Sequence, residues 1–318
     1  MASQQLFKFD FSRKTSANLS QTNNTSAQSE TQTEKKPAGV SKMEMTTEIF
    51  NAYRNLIYKL CGIYFTDSKK YLLEGRIVRR LTFHKMNNFE EYLRFVESPN
   101  GRAELNELFE AITINETYFF RAPQQFDALE KVIVPELIAA KGSKTNPTIR
   151  IWVAASSTGE EAYTIAMIVQ EKLKIKFPGV NFQILASDID RTVIEQAKKG
   201  VYKEYAIRNI PKDQLAKYFR FDGANYILSD QIKRMVQFSN INLYDAKQMR
   251  LMRDIDVVFC CNVLIYFDTA SKQQVVSYLY DSLNKGGYLF IGYSESLHGL
   301  SKAFKLIHLH KAMVYKKE

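Results

Sequence analysis

The sequence predicts an α/β fold: a doubly wound, mainly parallel sheet of Rossmann-like type, preceded by a small all-α domain. Three observations carry this. Residues 148–167, TIRIWVAASSTGEEAYTIAM, pass from an alternating β-prone run (Ile149, Ile151, Val153) through a small-residue turn into apolar residues at helical spacing (Ala162, Ile165, Ala166). Further β-prone runs follow at 181–190, 236–243, 256–266 and 288–293, separated by helical or turn-rich stretches. Residues 43–112, by contrast, show only helical periodicity.

Bulk properties agree. A chain of 318 residues holds one large domain and a smaller one, and an apolar share of 45% is ordinary for a globular protein. No apolar run is long enough for a bilayer span. Cys61, Cys260 and Cys261 form neither a metal spacing nor a disulfide framework, which points to a reducing, cytoplasmic setting. The four histidines make no metal set, so no metal is expected; His308 and His310 alternate with apolar residues, as on a half-solvated strand. A net charge of +10 leaves nucleic acid open as a partner, and its placement matters more than its size.

In chain order, residues 1–42 are rich in Ser, Thr, Gln and Asn and cannot bury enough apolar area to order, so a disordered tail is expected. Phe7, Phe9 and Phe11 are its only docking candidates. Helices are expected at 44–62, 68–85, 89–97 and 101–112. On the second, Lys69, Arg76, Arg79 and Arg80 fall within roughly a 100° arc beside Leu73, Ile77 and Leu81. The apolar stripe should pack inward and the cations stand out as a ridge. Residues 113–123, with Arg121 after three aromatics, form a linker suited to holding a guanidinium between apolar walls.

A helix at 124–140 leads to the strand at 149–153. The following turn lacks the three glycines of a dinucleotide fingerprint. Glu160 and Glu161 stand where a pyrophosphate would meet the helix N-terminus. A phosphate-free cationic nucleoside such as S-adenosylmethionine fits better; a plain helix-starting acid pair is the alternative. The second strand ends at Asp188, where such folds place the acid that takes the ribose hydroxyls, and Asp190 can cap the next helix. Asp222 to Asn225 signal a hairpin within a short β insertion near 218–237. The almost wholly apolar run 256–266 should be a central strand, running out at Asn262 and Tyr266. A helix at 271–283 and strands at 288–293 and within 303–316 complete six or seven strands, the last antiparallel.

Six segments now line up with one family: NETYFFR (115–121), AASSTGEEAYTIAM (154–167), SDIDRTVIEQAKKGVY (187–202), INL (241–243), CCNVLIYFD (260–268) and GGYLFIGYSESL (286–297). From about residue 45 to 316 the chain resembles CheR, the chemoreceptor glutamate O-methyltransferases. The resemblance implies a class I S-adenosylmethionine-dependent methyltransferase domain (124–318) behind an all-helical receptor-recognition domain (43–112). It implies that Asn115, Thr117 and Arg121 line the methionine end, Glu160 holds the cofactor's ammonium and Asp188 its ribose. Asn242 and Leu243 would flank the adenine, Cys260, Cys261, Asn262 and Val263 would line the pocket, and Tyr266 would face the methyl group with Arg121. Arg76, Arg79 and Arg80 match the family's receptor-recognition helix.

The implied partner is the cytoplasmic helical bundle of methyl-accepting chemoreceptors. The chain would be a monomer recruited to membrane-bound receptor arrays, with no nucleic acid and no membrane insertion. Three departures stand out. Cys261 replaces a usual Arg, Ser156 and Ala162 vary around the turn, and 218–237 is shorter than in members that grip a receptor's C-terminal pentapeptide. Independence from that peptide is therefore expected. Two other readings stay open: methylation of nucleic acid or a small molecule, against which no Asn/Asp-Pro-Pro-Tyr/Phe motif is present, and a non-catalytic adenosylmethionine sensor, against which Arg121 and Tyr266 speak.

Overall fold

The structure, a computed structural model, describes residues 44–142, 146–309 and 311–318. The tail expected over 1–42, with its three phenylalanines, and His310 lie outside them. Four helices come first: α1 (Thr47–Cys61), α2 (Lys70–His84), α3 (Phe89–Glu97) and α4 (Glu104–Ile112). Thr46 caps α1 by accepting the Ile49 amide, and Asn88 caps α3 by accepting that of Glu91. Their apolar stripes meet in one core around Tyr53, Ile57, Leu73, Ile77, Tyr92 and Leu108. The fourth helix starts three residues later than expected because Pro99–Gly101 forms its own 3₁₀ turn.

After the linker, α5 (Pro123–Ala128) continues through a π-helical turn, Leu129–Ile133, into α6 (Val134–Lys141). The wider turn sits where Pro135 has no N–H to offer the Lys131 carbonyl. Then come β1 (Thr148–Ala154), α7 (Glu160–Ile168), a second π-helical turn into α8 (Lys174–Lys176), β2 (Asn181–Asp188) and α9 (Arg191–Lys199). The insertion holds β3 (Val201–Tyr202), α10 (Glu204–Ile207), α11 (Lys212–Tyr218), β4 (Phe219–Phe221), β5 (Tyr226–Leu228) and α12 (Asp230–Lys233). The chain ends with β6 (Val236–Asn240), α13 (Ala246–Met249), β7 (Ile255–Cys260), α14 (Thr269–Ser282), β8 (Leu283–Ile291), β9 (Phe304–Leu309) and β10 (Ala312–Lys317).

Seven strands form one sheet in the order β6-β2-β1-β7-β8-β10-β9. The first five in that order are parallel, and β10 runs antiparallel to both β8 and β9. Every residue of β7 is buried, as its apolar run requires. Separate apolar cores cover the two sheet faces, one around Ile151, Val153 and Phe259, the other around Trp152, Val258 and Leu289. Two strands stop earlier than expected. β6 ends at Asn240, whose side-chain amide donates to the Asp188 and Ile189 carbonyls, each at 2.8 Å. β7 ends at Cys260 because Asn262 turns left-handed, φ 62°. The insertion is a three-stranded antiparallel sheet, β3-β5-β4, that recruits Val201 and so starts before residue 218. Asp222 closes its hairpin by accepting the amides of Ala224 and Asn225.

Strand order reverses between β1 and β7, so the carboxyl ends of β1, β2, β6 and β7 border the crevice such sheets use for ligands.

Candidate active site

The turn after β1 is shaped by backbone strain. Ala155 (φ 63°), Ser157 (φ 48°) and Gly159 (φ 92°) are all left-handed, and two of them carry a Cβ. Hydrogen bonds hold them there. Ser156 N donates to Ser187 O (2.8 Å), Ser157 N to Asp188 Oδ2 (2.8 Å), and Ser157 Oγ to Asn115 O (3.1 Å). Only glycine fits at 159: a Cβ there would come within 3.0 Å of Ala197 Cβ and of the Tyr163 ring. The turn thus ties β1, β2 and the linker together at one point.

Asn115, Thr117, Arg121, Asp188, Asn242, Leu243, Cys261, Asn262, Val263 and Tyr266 line a single cleft at this point. Two expected residues do not. Cys260 is fully buried inside β7, its side chain in the core. Glu160 turns away, accepts from Thr158 Oγ1 at 2.7 Å, and faces a separate cavity beside Lys199 and Tyr202. Its neighbour Glu161 stands on the cleft wall instead. Adjacent positions on a helix point about 100° apart, so only one of the pair can face the ligand. Residues of the helical part, Cys61, Ile63 and Ile112, supply another part of the wall. Asn242 Nδ2 reaches Leu60 O at 2.7 Å to fasten that part to the loop after β6.

The cleft is acidic where it is driest. Burial pushes Glu161 up to about 7, against a hydrogen bond from Cys261 and the nearby Arg121 charge. Burial likewise pushes Asp188 up to about 6, although it accepts the amides of Asp190 and Ser157. Carboxylates strained in this way favour a cation beside them, which fits the ammonium and sulfonium of adenosylmethionine. Asp190 caps α9, as expected, and also accepts from Asn115 Nδ2 at 2.9 Å. At the mouth, Arg121 donates to the Glu116 carbonyl (2.7 Å) and lies 5.7 Å from the Tyr118 ring centre. Burial raises the Tyr266 hydroxyl above its ordinary value, with Arg121 and Arg76 pulling it back. Among the described residues, no group of His, Cys, Asp and Glu side chains could hold a metal ion.

Comparison with known proteins decides what this cleft belongs to. Residues 48–113 match the all-alpha domain of CheR methyltransferases, and residues 115–313 match their SAM-binding domain. The chain belongs to the CheR methyltransferase family. Chemotaxis protein methyltransferase 2 of Vibrio cholerae is 33% identical over 280 residues, 87% of this chain and 96% of that protein. The chemotaxis protein methyltransferase of Borreliella burgdorferi is 35% identical, covering 81% and 91%, and that of Escherichia coli 33%, covering 83% and 90%.

Within this CheR chain the basic ridge on α2 departs from the expectation. Arg76 is buried, and its guanidinium donates to the Ile112 carbonyl at the end of α4. Arg80 makes a two-pronged bridge to buried Glu104, both contacts 2.7 Å, and a longer one to Glu107. Glu104 also accepts from Tyr92 (2.6 Å), and His84 Nε2 lies 2.8 Å from it, so the hub braces α2 against α3 and α4. Of the three arginines, Arg79 alone is exposed. The α4 helix that covers Arg76 and Arg80 cannot be seen in the periodicity of α2.

One functional residue escaped the sequence reading. Glu295, after β8, accepts the amides of Gly292 (2.6 Å) and Asn262 (2.9 Å) on Oε2 and that of Ile265 (3.3 Å) on Oε1. It therefore pins the loop that carries Cys261, Asn262 and Tyr266. A Cβ on Gly292 would lie 2.8 Å from both Glu295 Oε2 and Asn262 Nδ2, so the approach needs glycine. A lone glutamate in a polar loop gives no such signal in sequence.

Proposed function

We propose that this chain transfers methyl groups from S-adenosyl-L-methionine to glutamate side-chain carboxylates of methyl-accepting chemoreceptors, leaving glutamate methyl esters and S-adenosyl-L-homocysteine. The observation that carries this is the meeting of Arg121 and Tyr266 with the carboxylates of half-buried Glu161 and buried Asp188 on one cleft. When bound, the cofactor supplies an electrophilic methyl on a sulfonium, taken up by a carboxylate oxygen as the carbon–sulfur bond breaks. Glu161 would hold the ammonium, the role first expected of Glu160, and Asp188 the ribose. Asn242 and Leu243 would flank the base.

A substrate glutamate is already ionised near neutral pH, so no general base is required. Arg121 would hold that carboxylate by charge-assisted hydrogen bonds. Because the nucleophile loses its charge as the ester forms, a tighter grip would favour the reactant, and Arg121 acts as an aligner. Alignment of this kind can lower a barrier by roughly 7–11 kcal/mol. Tyr266, kept protonated by burial, closes the wall beside the reacting oxygen. Arg79 would meet the acidic receptor helices first. Arg76 and Arg80 would serve by fixing α2, although their sequence pattern had suggested direct contact.

The finer proposals are that the chain acts as a monomer in the cytoplasm, at receptor arrays, on no nucleic acid and without a receptor pentapeptide. No helix of the described residues is long and apolar enough to cross a membrane. Tight binding of the free pentapeptide in calorimetry would overturn the last of these. The reaction itself is tested with tritiated cofactor and receptor-bearing membranes. Alkali-labile label on receptor glutamates is the expected result, and alkali-stable label or none would overturn the reading.

A further inference from the structure

With Arg76 and Arg80 turned inward, α2 offers the substrate fewer cations than its sequence suggests, and a second guanidinium near the mouth becomes conspicuous. Arg208, just after α10, is exposed, and its Cζ lies 3.5 Å from the Tyr118 ring centre and 3.7 Å from that of Tyr205. One N–H goes to the Tyr205 carbonyl. Among the described residues no carboxylate bridges it. The nearby exposed acid, Glu116, accepts instead from the Tyr205 hydroxyl at 3.0 Å. The two rings stand at 74° to each other, so the guanidinium is held in the corner between them with its orientation fixed, while N–H groups along its edge stay free. That is the geometry suited to a carboxylate arriving from outside.

Its position matters as much as its state. Tyr118 lies between two cations, with Arg208 at 3.5 Å and Arg121 at 5.7 Å. Two cations therefore meet at one ring beside the cleft, Arg121 from the linker and Arg208 from the insertion. We infer that Arg208, clasped by Tyr118 and Tyr205, is the outer end of the docking surface, binding a second carboxylate on the acidic receptor helix beside the glutamate being methylated. The inference rests on the receptor reading above and extends it to a surface outside α2. Charge complementarity commits it to an acidic helix, whose carboxylates recur on one face every three or four residues.

The test uses the full chain with receptor-bearing membranes and the variants Arg208→Glu and Arg208→Lys. At low salt, R208E should lower kcat/KM for receptor by about tenfold or more, and the gap should narrow as salt rises. R208K, which keeps the charge but not the planar fork, should fall between R208E and wild type. Affinity for S-adenosylhomocysteine should stay within about twofold in both, since Arg208 lies outside the cofactor cleft. Unchanged kcat/KM in R208E would overturn the inference alone. So would a parallel loss of S-adenosylhomocysteine affinity, which would make Arg208 a brace for residues 115–121. No transfer to receptor by the wild-type chain would overturn the underlying reading and this inference with it.

Discussion

Glu161→Gln asks whether the cleft is built for a cation. Burial raises Glu161 from 4.5 to about 7, and the groups that face it are Cys261, Arg121 and Glu295. At about 1.4 kcal/mol per unit, keeping it ionised in the free folded protein costs on the order of 3 kcal/mol, an upper bound because one side of the cleft is open to water. A positive group about 4 Å away at an effective dielectric near 20 returns about 4 kcal/mol. The first is already borne by the free protein, in which Glu161 is ionised at about pH 8, so the second is what the substitution removes, and Gln should weaken adenosylmethionine by up to about a thousandfold there. The pH profile also separates the two proteins. Wild-type affinity in calorimetry should fall about tenfold per unit below about pH 7, whereas E161Q should hold until Asp188 protonates at about 6. The folded carboxyl binds its proton more tightly than the unfolded one. Its contribution to stability is therefore full below 4.5 and lost as pH rises to about 7, and E161Q should escape that loss. Wild-type affinity that stays flat from about pH 8 to 6, or that falls in parallel with E161Q, would refute the reasoning.

Three further changes probe the supports. Glu295→Ala should release the loop carrying Asn262 and Tyr266, lowering kcat about 10- to 100-fold with a smaller effect on cofactor affinity; unchanged kcat in a folded variant would remove the clamp. Glu104→Ala leaves Arg80 with only its longer contact to Glu107 and the Tyr92 hydroxyl unpaired, and should destabilise by about 3 kcal/mol in urea unfolding. A loss near zero would mean water replaces the carboxylate. Gly159→Ala must adopt φ 92° against Tyr163 and Ala197, and should lower the melting temperature by several degrees, about 1–3 kcal/mol of strain.

Where a residue's role follows from its own strand or helix, the sequence made it legible. The buried run of β7, the acid ending β2 at Asp188 and the cap at Asp190 were all readable, and with them the sheet and most of the cleft. What stayed hidden depends on a partner from elsewhere in the chain. Glu160 and Glu161 are equivalent acids until Thr158 draws one of them aside. Arg76 and Arg79 share an arc of α2 until Ile112 at the end of α4 takes one. Glu295 and Arg208 sit in polar stretches without periodicity, and only the loops folded against them show what they hold.

The most direct test of the central claim is a crystal structure of the chain with S-adenosylhomocysteine. The account predicts adenine beside Asn242 and Leu243, ribose on Asp188, the ammonium at Glu161 and the sulfur opening toward Arg121 and Tyr266. Density for the product in another cavity, or with its sulfur turned from Arg121, would contradict it.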